Sequence, residues 1–189
     1  MISSELHDLF LKCKGISTDT RSIQNDSLFF SLNGNNFDGN NYALEALKKG
    51  AKYAVVDNKN LNNPNFIKVE DALASLQKLS SYHRSKLINT KIIAITGSNG
   101  KTTTKELMHQ VLSTKYKTTS TIGNLNNHIG VPLTLLKINK DSDFAIVEMG
   151  ANHIGEIKFL TNLIKPDIGY ITNFGKAHLE GFGSLNGVI

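Results

Sequence analysis

The sequence predicts an α/β protein: a small N-terminal α/β domain over residues 1–88, then, over 89–189, the first part of a P-loop-type domain on a mostly parallel sheet. Three observations carry this. Short apolar runs that suit strands buried on both faces alternate with stretches of helical periodicity. Lys91 to Leu112, KIIAITGSNGKTTTKELMHQVL, sets such a run, a turn of small residues and a helix start in immediate succession. Phe144-Ala145-Ile146-Val147-Glu148 is a second run of this kind, and it ends on a carboxylate.

Taken in order, Ser3 or Ser4 caps a short amphipathic helix with Leu6, Leu9 and Phe10 on one side, ended by Gly15. Ile16 to Arg21 reads as a hydroxyl-rich β segment, and Leu28 to Leu32 as a buried strand after the turn Gln24 to Ser27. The loop Asn33 to Gly39 is dense in residues that tolerate positive φ. Tyr42, Ala43, Ala46 and Leu47 form a helical stripe closed by Gly50, and Tyr53 to Val56 follows as a strand. Phe66 to Val69 is a short strand, and Asp71 to Leu87 a helix with Ala72, Leu73, Leu76, Leu79 and His83 on one face. The domain boundary falls at Ile88-Asn89-Thr90, just before the strand of the glycine turn.

In the second domain the helix after the turn carries Leu107, Met108, Val111 and Leu112 on one face. Lys117 to Thr121 reads as a strand, Gly123 to Gly130 as a loop, and Pro132 suits the first turn of the next helix. His153 to Ile164 is expected to be helical and stopped by Pro166. Ile168 to Thr172 is expected as a further buried strand, delivering Asn173, Lys176 and His178 to the rim that already holds Glu148.

A strand, a glycine turn and a helix N-terminus in that order make a concave site lined by backbone N–H groups, with the positive end of the helix dipole behind it. Lys101 adds a charge able to reach outer phosphates, and the Thr102 hydroxyl can ligate Mg²⁺. Ile95 stands where the first glycine of the full G-x-x-x-x-G-K-[ST] pattern belongs, so the reading rests on the flanking strand and helix. In an open α/β sheet ligands lie at the C-terminal strand ends. There Lys101, Thr102, Glu148 and His178 would supply phosphate donors and metal ligands for ATP chemistry. His178 is equally readable as a surface histidine. His7, His83, His109 and His153 have no comparable neighbours in the sequence and read as helix-surface or internally satisfied residues.

Composition narrows the classes. The chain has 189 residues, net charge +5 and one cysteine, Cys13, which excludes an internal disulfide. Its lysines are scattered and not interleaved with aromatics, so no specific nucleic-acid partner is expected despite a pI of about 9.2. No apolar run approaches the roughly 20 residues that span a bilayer, and no signal peptide is recognisable, so a cytoplasmic location without membrane insertion is expected. D-x-x-G and N-K-x-D do not follow the turn, which argues against a switch GTPase. Gly187-Val188-Ile189 reads as the start of a new segment, as expected of a piece of a longer protein.

Four groups of residues resemble the Mur ligases: STDTR (Ser17 to Arg21) with LFFSLNGNNFDG (Leu28 to Gly39); TGSNGKTTTKE (Thr96 to Glu106); GNLNNHIGVPLTLL (Gly123 to Leu136); and EMGANHIGEI with ITNFGKAHLEGFG (Glu148 to Ile157, Ile171 to Gly183). The last two point to the branch that adds D-alanyl-D-alanine to UDP-N-acetylmuramoyl-tripeptide in peptidoglycan precursor synthesis. The resemblance implies a UDP-binding N-terminal domain and a central ATPase domain. Thr18, Thr20, Asn35, Asn36 and Phe37 would then meet the UDP moiety, and Gly97, Ser98, Asn99, Gly100, Lys101, Thr102 and Thr103 the ATP phosphates. Thr102, Glu148 and His178 would hold Mg²⁺, with Lys101, Glu148 and His178 the catalytic set, and Asn126 or Asn127 would lie by the phosphates.

The implied reaction is γ-phosphoryl transfer to the peptide carboxylate, giving an acyl phosphate that the dipeptide amine attacks, in a monomeric enzyme. A carbamylated lysine and a C-terminal domain would lie past Ile189, so this chain alone is expected not to ligate. The alternatives are another Mur-type ligase, of the muramyl-peptide or folylpolyglutamate class, or a non-catalytic nucleotide-binding module.

Overall fold

The computed structural model describes residues 3–175, 179–184 and 187. Packing divides the chain into two compact units, Met1–Tyr82 and His83–Ile189. The division falls inside the helix Ala72–Lys86, ahead of the 88–89 boundary read from the sequence. The last turn of that helix bonds within the second unit, His83 Nε2 to Ile138 O at 2.9 Å and Arg84 Nε to Ile164 O at 3.0 Å. Burial pushes the His83 imidazole down, and its Nε2 faces a carbonyl oxygen, to which it donates.

The first unit holds α1 (Ser3–Phe10), β1 (Ile16–Ser17), β2 (Leu28–Phe30), α2 (Ala43–Lys48), β3 (Tyr53–Val56), β4 (Phe66–Lys68) and most of α3 (Ala72–Lys86). Its strands form one parallel sheet in the order β1-β2-β3-β4. Strand alternation sends Phe29, Ala54 and Val56 to the side where Ala43, Ala46 and Ala51 pack. Leu28, Phe30 and Val55 point the other way and are fully buried. The expected β segment over 16–21 is shorter than read. Asp19 accepts from the Arg21 amide at 2.9 Å and turns the chain into a 3-10 turn, Thr20–Ser22.

The second unit holds β5 (Lys91–Thr96), α4 (Lys101–Ser113), β6 (Thr118–Ser120), α5 (Gly130–Leu135), β7 (Phe144–Glu148), α6 (Glu156–Ile164), β8 (Ile168–Ile171) and α7 (Leu179–Phe182). The sheet is parallel, in the order β6-β7-β5-β8. Helices clad both faces of its centre. Ile92, Ala94, Ala145 and Val147 pack with Val131, Leu135, Leu160 and Ile164, whereas Ile93, Ile95 and Ile146 meet Met108 and Leu112 of α4. This two-sided burial is why β5 and β7 read as unbroken apolar runs.

Three expectations are corrected. The strand at 168–171 is an edge strand with every residue exposed, not a buried one. Leu107 and Val111 point outward, 59% and 69% exposed, and the inward stripe of α4 is Lys105, Met108 and Leu112. Helix α6 begins at Glu156, because Gly155 is left-handed (φ 90°) and the Glu156 carboxylate folds back onto the amides of Asn152 and His153 at 2.6 and 3.0 Å.

Asp167 ties the second unit together. The Ile92 amide, at 2.9 Å, holds its carboxyl below the usual range, helped by Lys91 at 2.9 Å and Arg84. A carboxyl lowered on folding stabilises the protein above the unfolded value of about 3.9, and that stabilisation is lost as pH falls through the folded value. Asp167→Asn is therefore expected to lower the neutral-pH melting temperature by roughly 3 °C and to flatten the loss of stability below pH 4, read by thermal melts from pH 2 to 7.

Candidate functional site

The register of the second sheet creates the site. Ile95 pairs with Glu148, so the turn leaving β5 starts beside the carboxylate that ends β7, and the Met149 amide closes onto Ile95 O at 2.8 Å. Gly97 (φ 135°) and Gly100 (φ 77°) supply backbone conformations that L side chains rarely adopt. Helix α4 then starts on Gly100 without a side-chain cap, and its first intrahelical bond runs from Thr104 N to Gly100 O at 2.9 Å. The amides of Gly100, Lys101, Thr102 and Thr103 are thus the donors a helix start leaves over.

The turn is braced from the β8 side. Ser98 N donates to Asn173 O and Asn99 N to Asn173 Oδ1, each at 3.1 Å, and Thr172 Oγ1 donates to Asn99 O at 2.6 Å. Two of the amides expected in the cradle are therefore engaged inside the protein, and the donors that the helix start leaves over lie one step later, on α4. Lys101 Nζ is folded over the turn, 2.7 Å from Gly97 O and 3.3 Å from Ser98 O.

Glu148 is 2% exposed, and each of its oxygens has a partner. Thr102 Oγ1 donates to Oε2 at 3.0 Å and Asn126 Nδ2 to Oε1 at 2.9 Å. Asn126 is itself pinned, since the Gly150 amide donates to its carbonyl at 2.8 Å and a side chain on Gly150 would crowd it. Its neighbour Asn127 does other work, accepting from Ile129 N and Gly130 N at the start of α5. Lys105, quoted above in the TGSNGKTTTKE run without a role of its own, is fully buried with Nζ 4.0 Å from Glu148 Oε2 and 2.7 Å from Thr121 O.

This donor set fits a magnesium ion. Thr102 Oγ1 and Glu148 Oε2 are hard oxygens, close enough to share one cation whose other positions would go to water and phosphate oxygens. Their hydrogen bond would then be exchanged for two metal bonds. His178 and Lys176 lie outside the described residues. Among those described, no group of three or more His, Cys, Asp or Glu side chains could hold a metal by itself.

Beside this constellation opens a cleft of about 500 Å³ lined by Lys101, Asn126, Asn127, His128, Asn152, His153 and Glu156, among others. His153, read from sequence as a helix-surface or internally satisfied residue, is there 3.6 Å from Glu156. In the first unit a second cleft, of about 600 Å³, brings Thr18, Thr20 and Phe37 together with Asp19, Arg21, Tyr42 and Glu45. Asp19 grips Arg21, with Oδ2 2.6 Å from Nη2, and that pairing lowers the carboxyl to about 2. Asn35 and Asn36 are exposed on the neighbouring loop and do not line the cleft. Gly34 lets the Phe37 ring lie across that loop, in the space a side chain would take.

Asp19 and Arg21 stand in the quoted STDTR run, two residues apart, which is the available sequence signal for their pairing. For Lys105 the signal is its spacing from Met108 and Leu112, which sets a lysine in an apolar stripe. The grouping of His128 with His153 joins separate loops and leaves no local trace.

Two family models match this chain. Residues 95–189 fit the Mur ligase middle domain, and residues 12–119 fit the catalytic domain of the Mur ligase family. The UDP-N-acetylmuramoyl-tripeptide--D-alanyl-D-alanine ligase of Bacillus subtilis (strain 168) is 41% identical over 177 residues, covering 92% of this chain. That of Escherichia coli (strain K12) is 38% identical over 189 residues, covering 100%. The chain spans 38% and 41% of the lengths of these two relatives. Among solved structures, MurF from Acinetobacter baumannii superposes with a TM-score of 0.88 at 34% identity over 98% of this chain and 44% of its own. MurF ligase from Thermotoga maritima, in complex with ADP, gives 0.84 at 31% identity over 96% of this chain and 42% of its own.

Proposed function

The chain belongs to the Mur ligase family, and on that premise we propose that it is the nucleotide-handling part of an ATP-dependent amide ligase that joins D-alanyl-D-alanine to UDP-N-acetylmuramoyl-tripeptide. The observation that carries the proposal is the meeting of Thr102, Asn126 and Glu148 at the uncapped start of α4. ATP would lie with its phosphates against the Gly100 to Thr103 amides, and Mg²⁺ between Thr102 and Glu148. When bound, Mg²⁺ would neutralise phosphate charge and help orient the transferred group.

The chain's own residues have distinct parts in this. The α4 amides bind phosphate oxygens. Lys101 exchanges Gly97 O and Ser98 O for the outer phosphates, and so offers its charge to the group being transferred. Asn126 keeps the Glu148 carboxylate turned toward Thr102. The 500 Å³ cleft beside Lys101 would receive the acceptor carboxylate, with His128 and His153 along its wall. His178 completes the proposed metal set.

In the first unit, Thr18, Thr20 and Phe37 would take the UDP end of the substrate, with Asn35 and Asn36 closing over it from the loop. Arg21 extends this proposal, since its guanidinium lines the same cleft, already oriented by Asp19. Arg21→Ala is expected to weaken UDP binding about tenfold, measured by calorimetry, with Mg-ADP binding unchanged. The same reading has the enzyme act in the cytoplasm as a monomer without a specific nucleic-acid partner. None of the described helices is long and apolar enough to cross a membrane.

The deciding experiment uses the longer protein that contains this chain. ADP formation from ATP with a muramyl-tripeptide acceptor should require D-alanyl-D-alanine. A preference for a shorter muramyl peptide and a single amino acid would move the protein to another branch of the family.

A further inference from the structure

We propose that Lys105 is a positioning residue that makes divalent-cation binding at Glu148 depend on nucleotide phosphates. The inference deepens the magnesium and nucleotide reading of the site and rests on it. Lys105 is 0% exposed although it sits in the stripe that Met108 and Leu112 use to pack on the sheet. A buried ammonium is unfavourable unless it is paired and hydrogen-bonded, and an apolar residue would fill the position without that requirement. Its Nζ reaches Thr121 O at 2.7 Å, Glu106 Oε1 at 2.9 Å and Glu148 Oε2 at 4.0 Å.

Thr121 joins the two charges. Its carbonyl accepts from Lys105, and its hydroxyl accepts from the Glu148 amide at 2.9 Å. Its own amide is fixed to Ile146 O at 3.0 Å, so lysine and carboxylate hang from one short piece of sheet edge. Glu106 is the nearer carboxylate, at 2.9 Å, but its half-exposed side chain shares its charge with water, whereas Glu148 has no such outlet.

The consequence follows from counting charge. Affinity for a hard divalent cation rises with the number of anionic ligands around it. Here the single buried carboxylate already faces a buried ammonium at 4.0 Å, so a cation arriving with water alone finds part of the carboxylate's attraction offset. Nucleotide phosphates supply the missing negative charge and oxygen ligands. The cation is then held firmly only as part of its nucleotide complex, and Lys105 sets that order without touching either one.

Manganese, titrated into the 189-residue chain and followed by electron paramagnetic resonance, tests this with and without ADP. Without ADP, Lys105→Met and Lys105→Gln are expected to bind Mn²⁺ at least about tenfold more tightly than the unaltered chain, while Lys105→Arg stays close to it. The gain should vanish in Lys105→Met/Glu148→Gln. Unchanged Mn²⁺ affinity in the neutral variants, with Mn-ADP binding intact, would overturn the role of Lys105 and leave the nucleotide reading standing. Lack of Mn-ADP binding by the unaltered chain would remove both. If the neutral variants fail to fold and the arginine variant folds, the positive charge is needed to hold the buried Glu148 carboxylate in the fold itself, and the proposal is overturned as a role in cation binding.

Discussion

Glu148→Gln is expected to abolish the magnesium-dependent part of nucleotide binding, a loss of at least about 100-fold, the upper end of what removing a metal's outer partners costs. The amide keeps the shape and can still meet Thr102 and Asn126, but it no longer offers an anionic oxygen to a cation. The same change should show in stability. It leaves Lys105 buried with Thr121 O and Glu106 but without its buried counter-charge, at a cost of up to about 3 kcal/mol. Lys105→Met/Glu148→Gln should recover most of this, since an apolar stem suits a site beside Met108, whereas metal-dependent binding stays lost. Melting curves and Mg-ADP calorimetry on the single and double variants separate the two effects. Equal magnesium dependence in Glu148→Gln and the unaltered chain would show that the carboxylate is not a ligand.

Gly97→Ala is expected to damage the site by a different route. At φ 135° an L side chain is strained, and the added carbon would meet the Thr172 hydroxyl and lie 3.0 Å from the Thr172 amide. The Thr172 and Asn173 segment would have to move, releasing Ser98 and Asn99 from the bonds that brace the turn. A loss of at least ~2 kcal/mol follows, or about 5 °C in melting temperature, together with loss of Mg-ADP binding. Gly100→Ala makes the useful comparison. Gly100 is also left-handed, but a side chain there would meet no neighbour, so its effect should be limited to backbone strain of about 1 kcal/mol. If both substitutions cost the same, the packing of the turn against Thr172 is not what holds it.

The sequence was most legible where one physical cause dominated. The centres of strands β5 and β7 are apolar because helices cover both their faces, so the limits of β7 and the carboxylate that ends it could be read directly. β8 is just as apolar and is exposed in this chain, which spans 38% and 41% of the lengths of the two relatives. On α4, Leu107, Met108, Val111 and Leu112 read as one apolar face, but the inner face holds Lys105, Met108 and Leu112, because a buried lysine adds nothing to an apolar pattern. The start of α6 lies three residues later than read, because Gly155 is left-handed and the Glu156 carboxylate takes the amides of Asn152 and His153 outside the helix. Partners that meet only through the fold, such as Asn126 with Glu148 or Thr121 with Lys105, are separated by many residues in the chain. Sequence placed Asn126 and Asn127 together as candidates, and only the hydrogen bonds separate one that orients the carboxylate from one that starts a helix.

On the proposed function, the α4 amides and Glu148 together would hold a nucleotide polyphosphate with its cation. Calorimetric titration of the 189-residue chain with ADP, in magnesium and again in excess chelator, tests it most directly. Saturable binding at one site that weakens at least about tenfold when magnesium is removed is the expected result. Binding of equal strength in chelator, or no saturable binding in magnesium by a chain whose melting curve shows it folded, would contradict it.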